Sequence, residues 1–208
     1  MNIKIKTGGL LGLALASVWQ AAQAAPPQTP SATTRMNTLG LENARMAQRI
    51  GDWDVVETVR AKPGAVPVRN KYRIQRTMIG SFFQEIARAV PGAADPNFRR
   101  ILYLSFNRVE GRWKYVSMVT NSPVGLMPAA SFGPSESGRI RLVFEPFALA
   151  GSGKTVTGQM LRMDEIMTFP DANHDHAEER FMMADGSGRM WTAYRYDYVR
   201  RGVIGKSR

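Results

Sequence analysis

The chain has 208 residues, with 28 Lys and Arg against 17 Asp and Glu, a net formal charge of +11 and no cysteine. The missing cysteine excludes disulfides, thiol nucleophiles, Cys-ligated zinc and the lipidated cysteine of a bacterial lipoprotein. The positive excess does not read as a nucleic-acid footprint, because the basic residues are spread through strand-like segments, with only Arg99-Arg100, Arg200-Arg201 and the Lys206/Arg208 tail as local pairs.

In chain order, Lys4 and Lys6 precede an apolar run from Leu10 to Trp19, and small residues close the segment at Ala22-Gln23-Ala24. This is the layout of a secretory signal peptide with an apolar run too short to span a bilayer. Cleavage is expected after Ala24, which places the mature protein in the periplasm or outside the cell. Residues 25–38 follow as a Pro/Ser/Thr-rich leader with too little apolar content to fold, and the domain proper is expected over 39–202, with a basic tail at 203–208. The spacing of Leu41, Ala44, Met46, Ala47 and Ile50 predicts one short amphipathic helix ending at Gly51.

Beyond Gly51 the apolar period changes to two. Strands are predicted over Trp53–Val59, Tyr72–Ile79, Phe82–Val90, Ile101–Phe106, Trp113–Thr120, Ile140–Phe144, Val156–Phe169, Ala177–Met183 and Met190–Val199. Turn residues separate them, among them Pro63-Gly64, Gly80, Pro91-Gly92, Glu110-Gly111, Gly151-Ser152-Gly153 and Asp185-Gly186-Ser187-Gly188. Short links between sequential strands predict an all-β fold, a single antiparallel up-and-down barrel of about nine or ten strands. A sandwich is the alternative.

The helix that runs into Gly51-Asp52-Trp53 at the first strand resembles the Gly-x-Trp opening of the calycin barrels, the group that includes lipocalins and fatty-acid-binding proteins. From about 41 to 202 the chain is similar to a bacterial family of secreted calycin-like domains of unknown function. The similarity extends through Ile79-Gly80-Ser81, Leu102-Tyr103-Leu104-Ser105, Trp113-Lys114-Tyr115 and Tyr194-Arg195-Tyr196-Asp197-Tyr198. The resemblance implies that Trp53 plugs one barrel end behind Gly51, and that Arg200 or Arg201 packs its guanidinium over the indole. The intermediate lipocalin motifs are not evident.

A barrel lumen is lined by every second residue of each strand. Alternation groups Tyr194, Tyr196 and Tyr198 on one face, and likewise Tyr72, Ile74, Arg76 and Met78; Trp113 and Tyr115; Leu161, Met163, Glu165 and Met167; and Glu179, Phe181 and Met183. These inward sets mix rings, aliphatic groups and a few charges, as small-molecule pockets do, and methionine adds a side chain that moulds to irregular ligands. Tyr72, Arg76, Trp113, Tyr115, Met163, Phe181, Tyr194 and Tyr196 are therefore the candidate ligand-binding residues. Arg76 either grips a ligand's carboxylate, as inward arginines do in fatty-acid-binding proteins, or pairs with Glu165 or Glu179. The alternative is that these side chains fill a tight core.

Catalytic motifs are mostly eliminated. Gly151-Ser152-Gly153-Lys154-Thr155 has Ala148 where a phosphate-binding loop needs its first glycine, and leads into a strand rather than a helix. Gly133-Pro134-Ser135-Glu136-Ser137 lacks the second glycine of a nucleophile elbow. His174 and His176 share a face near Asp171, but no third metal ligand can be named, and no cofactor or metal site is expected. The function expected is binding of a small, mostly hydrophobic molecule, possibly with an acidic head group, in the barrel lumen. One alternative is an envelope interaction module with a filled barrel whose basic surface docks on anionic lipid or a protein partner. Another is a barrel enzyme using inward Tyr, Arg and Glu groups.

Overall fold

Eleven β-segments, each paired antiparallel to its neighbours, form a closed ten-strand barrel in the computed structural model, which describes residues 29–136, 138–149, 159–183 and 186–202. The segments are β1 (Gly51–Val59), β2 (Val68–Ile79), β3 (Phe82–Ala89), β4 (Arg99–Asn107), β5 (Arg112–Val119), β6 (Met127–Ala130), β7 (Arg139–Phe144), β8 (Phe147–Leu149), β9 (Gln159–Thr168), β10 (His174–Met183) and β11 (Met190–Arg200). β7 and β8 lie end to end along one edge of β9 and together count as one barrel strand. The break falls at Glu145-Pro146, where proline has no N–H to give to the ladder.

The predicted meander is the observed one. β9 pairs with β10, β10 with β11, and β11 returns to β1, so the sheet has no long free edge. β6 and β8 are additions to the predicted strands, and β10 begins three residues earlier than expected. The signal segment, residues 25–28 of the leader, the tail and the Gly151–Thr155 motif lie outside the described residues.

Two short helices precede the barrel. α2 (Gly40–Ala47) is the predicted helix, ending three residues sooner, and α1 (Ala32–Asn37) occupies part of the leader expected to be unstructured. Asn43 fastens α2 to β4: its amide oxygen accepts from the Phe106 N–H at 2.9 Å, and its Nδ2 faces the Phe106 carbonyl at 3.4 Å. No described helix is long and apolar enough to cross a membrane.

The core sits at the α2 end. Trp53, Trp113, Leu102, Leu104, Ile140 and Leu142 are almost fully buried there, and Phe106 meets Trp113 edge-on at 5.3 Å. Trp53 donates its indole N–H to the Arg49 carbonyl at 3.0 Å. Arg200 stacks on the same indole at 4.6 Å and donates to the Gln48 and Ile50 carbonyls at 2.6 Å each, which satisfies oxygens just past the helix end. Gly51 is required for this closure. Its φ is +128°, and a Cβ would lie 3.3 Å from Arg200 Nη1. Arg201 instead approaches Asp54 on the outer surface at 3.6 Å.

Candidate functional site

The opposite end of the barrel, built from the late part of β1, the starts of β2, β4 and β11, the end of β5 and the middle of β10, encloses a cavity of about 390 Å³. Alternation brings the lining residues there. Glu57 and Val59 continue the inward row of Trp53 and Val55, Tyr194 and Tyr196 continue that of Tyr198, and Glu179 and Phe181 continue that of Ala177. A β-bulge at Ala193, where Glu179 pairs with Tyr194 but Arg180 pairs with Thr192, keeps Phe181 and Trp191 facing the interior.

The walls are mostly rings. Phe98 stacks on Tyr72 with centroids 4.5 Å apart, Phe181 lies 5.7 Å from Tyr194, and the Tyr194 and Tyr196 rings run parallel at 6.2 Å. Met163, Val119, Met127 and Leu149 supply the aliphatic surface. Glu57, Arg100 and Glu179 are the charged residues in the lining.

Beneath the cavity runs a ladder of alternating charge. Asp175 binds Arg76 at 2.5 Å, Arg76 binds Glu85 at 2.8 Å, Glu85 binds Arg100 at 3.2 Å, and Arg100 approaches Glu179 at 3.9 Å. Arg49 comes within 3.0 Å of Asp175 Oδ1, an ion-pair distance without hydrogen-bond alignment. Arg76 lies between the faces of Trp53 and Tyr198 at 4.5 and 4.6 Å, and Arg100 lies over Tyr196 at 4.3 Å. Burial works against both guanidinium charges, yet their pKa values are raised: Glu85 and Asp175 outweigh it at Arg76, and Tyr196, Tyr198 and Glu85 at Arg100.

Three carboxyls lean the other way, and the first, Asp175, is raised by its burial despite Arg76 and Arg49. Burial, reinforced by the charge of Glu179, pushes Glu165 up to about 8, and its Oε2 has no hydrogen-bond partner. Burial pushes Glu179 up to about 7, with Glu57 adding to the effect and Arg100 opposing it. The interior therefore holds acids poised near neutrality beside tyrosines. A polar, fully packed floor of this kind fixes the strands and sets the electrostatics of the space above it.

Of the eight candidate ligand-binding residues, Tyr72, Met163, Phe181, Tyr194 and Tyr196 line this cavity. The other three do not. Arg76 is committed to Glu85 and Asp175 in the floor, so it offers no free grip for an acidic head group. Tyr115 is buried edge-on against Phe144 at 5.3 Å, and Trp113 belongs to the plugged end, beside a separate hollow near Arg45, Met46 and Phe169. His174 and His176 bind separate aspartates, Asp171 at 2.9 Å and Asp197 at 2.8 Å. Among the described residues, no three His, Asp or Glu side chains are grouped to hold a metal ion.

Arg100, Glu57, Glu85 and Phe98 were not anticipated. Arg100 carried a signal, since it shares the parity of Leu102 and Leu104, but beginning the strand at Ile101 left it out. Phe98 carried none, being a loop residue held by its stack on Tyr72.

No protein-family model matches this chain, and no curated protein matches it. Among solved structures it is similar to the crystal structure of Rv2717c from M. tuberculosis, with a TM-score of 0.50 and 14% sequence identity over 78% of this chain and 98% of that one. At that identity the likeness shows a shared barrel fold and nothing of activity.

Proposed function

We propose that this chain is an exported, calycin-like binding protein, released by cleavage after Ala24, that holds a small, mostly apolar molecule in the open end of its barrel. The observation that carries the reading is the ring-lined cavity of about 390 Å³ at the barrel end opposite Trp53. That volume lies at the lower end of the range for small-molecule pockets, about 300–1,000 Å³. The calycin assignment is supported by Trp53 at the plugged end with Arg200 stacked over its indole. Native mass spectrometry of protein purified from its own host, followed by solvent extraction, is expected to release a stoichiometric apolar compound. A clean apo mass, with no thermal shift across a panel of hydrophobic compounds, removes the reading.

A second reading, docking on anionic envelope lipid, is favoured by the outer face. Arg73, Arg88 and Arg99 stand side by side on β2, β3 and β4, with Lys71 and Arg69 continuing along β2. None of these five pairs with a carboxylate among the described residues. Like charges directly opposite each other cost stability, and an anionic surface offsets that cost. Flotation with phosphatidylglycerol vesicles is expected to carry the protein at low salt and release it at high salt. Since each basic residue near such a surface contributes about 1 kcal/mol, Arg73→Glu with Arg88→Glu is expected to weaken binding more than about tenfold. Equal flotation with phosphatidylcholine vesicles rules the docking out.

A further inference from the structure

The charges around the cavity do not balance within the chain. Arg100 is the one cation in the lining, and it is already engaged: Nη2 faces Glu85 at 3.2 Å and the Tyr198 hydroxyl at 3.3 Å, Nη1 reaches Glu179 only at 3.9 Å, and the guanidinium lies on the Tyr196 ring. Glu57 is in the opposite condition. It is only 6% exposed, its Oε2 accepts from the neutral Asn70 amide at 2.8 Å and the Tyr72 hydroxyl at 3.1 Å, and its Oε1 has no partner among the described residues. A carboxylate held only by neutral donors, with its second oxygen open to the cavity, has no countercharge of its own, and a cationic guest can supply one.

The second carboxylate stands nearby. Glu57 is opposite Tyr196 on β11 from the β1 side, and Glu179 is opposite Tyr194 on β11 from the β10 side, so two acids flank two parallel tyrosine rings. Their mutual repulsion contributes to the raised Glu179 pKa. A tyrosine face attracts a cation; Arg100 already lies on Tyr196, so the ring left for a second cation is Tyr194, which stands within electrostatic reach of both Glu57 and Glu179. Above it, Phe181, Met163 and Leu149 offer apolar surface for the rest of the molecule.

We infer that the guest carries a cationic head: an amine with an apolar body, its ammonium seated between Glu57 and Glu179 against the Tyr194 ring. The inference rests on the cavity being a binding site, as proposed above, and adds the charge of its occupant.

Calorimetric titration of the full chain with octylamine, octanol and octanoate separates head from tail. Octylamine is expected to bind about tenfold or more tightly than octanol, the size of a charge-assisted hydrogen bond in a desolvated site, with octanoate weakest. Glu57→Gln keeps the acceptor used by Asn70 and Tyr72, and is expected to bring octylamine to within about twofold of octanol when both are titrated into the variant. Glu179→Gln gives the same readout in an independently folded variant. Octanoate binding as well as octylamine overturns the inference, as does an octylamine advantage that survives both substitutions. If none of the three compounds binds, the cavity is not a site for small apolar molecules, and the proposed function fails with it.

Discussion

Replacing Arg76 with alanine is expected to lower the stability of the fold by about 3–5 kcal/mol, the cost of removing one partner from a buried ion pair. Two carboxylates depend on this guanidinium. Glu85 is 2% exposed and Asp175 is 2% exposed, and Arg76 binds both while stacking between Trp53 and Tyr198. With the cation gone, Asp175 keeps only the poorly aligned Arg49, and Glu85 keeps only Arg100. In a chain of this size that loss corresponds to a fall in Tm of roughly 10 °C or more. Urea unfolding followed by tryptophan fluorescence measures it, because Trp53 reports on the same contact. Adding Asp175→Asn to Arg76→Ala is expected to recover part of the loss, since it removes one stranded charge. A single-variant loss below about 1 kcal/mol means the ladder is solvated, and the packed floor of the cavity is then wrongly described.

The fold was legible wherever one face of a strand is apolar. Trp53 and Val55, Trp113 and Tyr115, and Tyr194 to Tyr198 show the period of two plainly, and their inward placement follows from it. Parity even selects between the two arginines at the chain's end: Arg200 is in step with Tyr198 and sits directly across from Trp53, whereas Arg201 is out of step. The polar interior was not legible in that way. Asp175 points inward, yet it stands between two histidines, and apolar residues at inward positions begin only at Ala177, where the predicted strand starts. Glu57, Glu85 and Arg100 likewise interrupt apolar rows, and only their partners on distant strands explain why they are tolerated inside. Arg76 faces inward as its parity predicts, but it pairs with Glu85 and Asp175 rather than gripping a ligand's carboxylate or pairing with Glu165 or Glu179, because nothing local specifies which strands lie across the lumen. β6 and β8 escaped notice because each is short and has a proline in it or beside it, Pro128 and Pro146.

Glu165→Gln is expected to stabilise the protein at alkaline pH and to leave it nearly unchanged in acid. In the unfolded chain a glutamate titrates near 4.3. In the fold, burial and then the charge of Glu179 push Glu165 up to about 8, so the native state holds this proton more tightly than the unfolded state does. The sign follows directly. The contribution of Glu165 is most favourable below about pH 4, where both states are protonated, and declines as pH rises toward 8 while the unfolded state has already released its proton. Glutamine imitates the neutral acid at every pH, so the variant avoids that decline. Its advantage over the parent is expected to grow from near zero below about pH 4 to on the order of a few kcal/mol at about pH 9. Urea midpoints of the two proteins across that interval test this, and the difference between them cancels the titration of the other interior acids to first order. Glu179, raised to about 7 by the same burial, is expected to show the weaker version in Glu179→Gln, because its shift is smaller. Parallel curves for parent and Glu165→Gln from acid to alkali would mean that the carboxyl carries its charge without cost. The interior around Tyr115 would then be wet, and the space above it would be an open channel rather than a cavity with a dry floor.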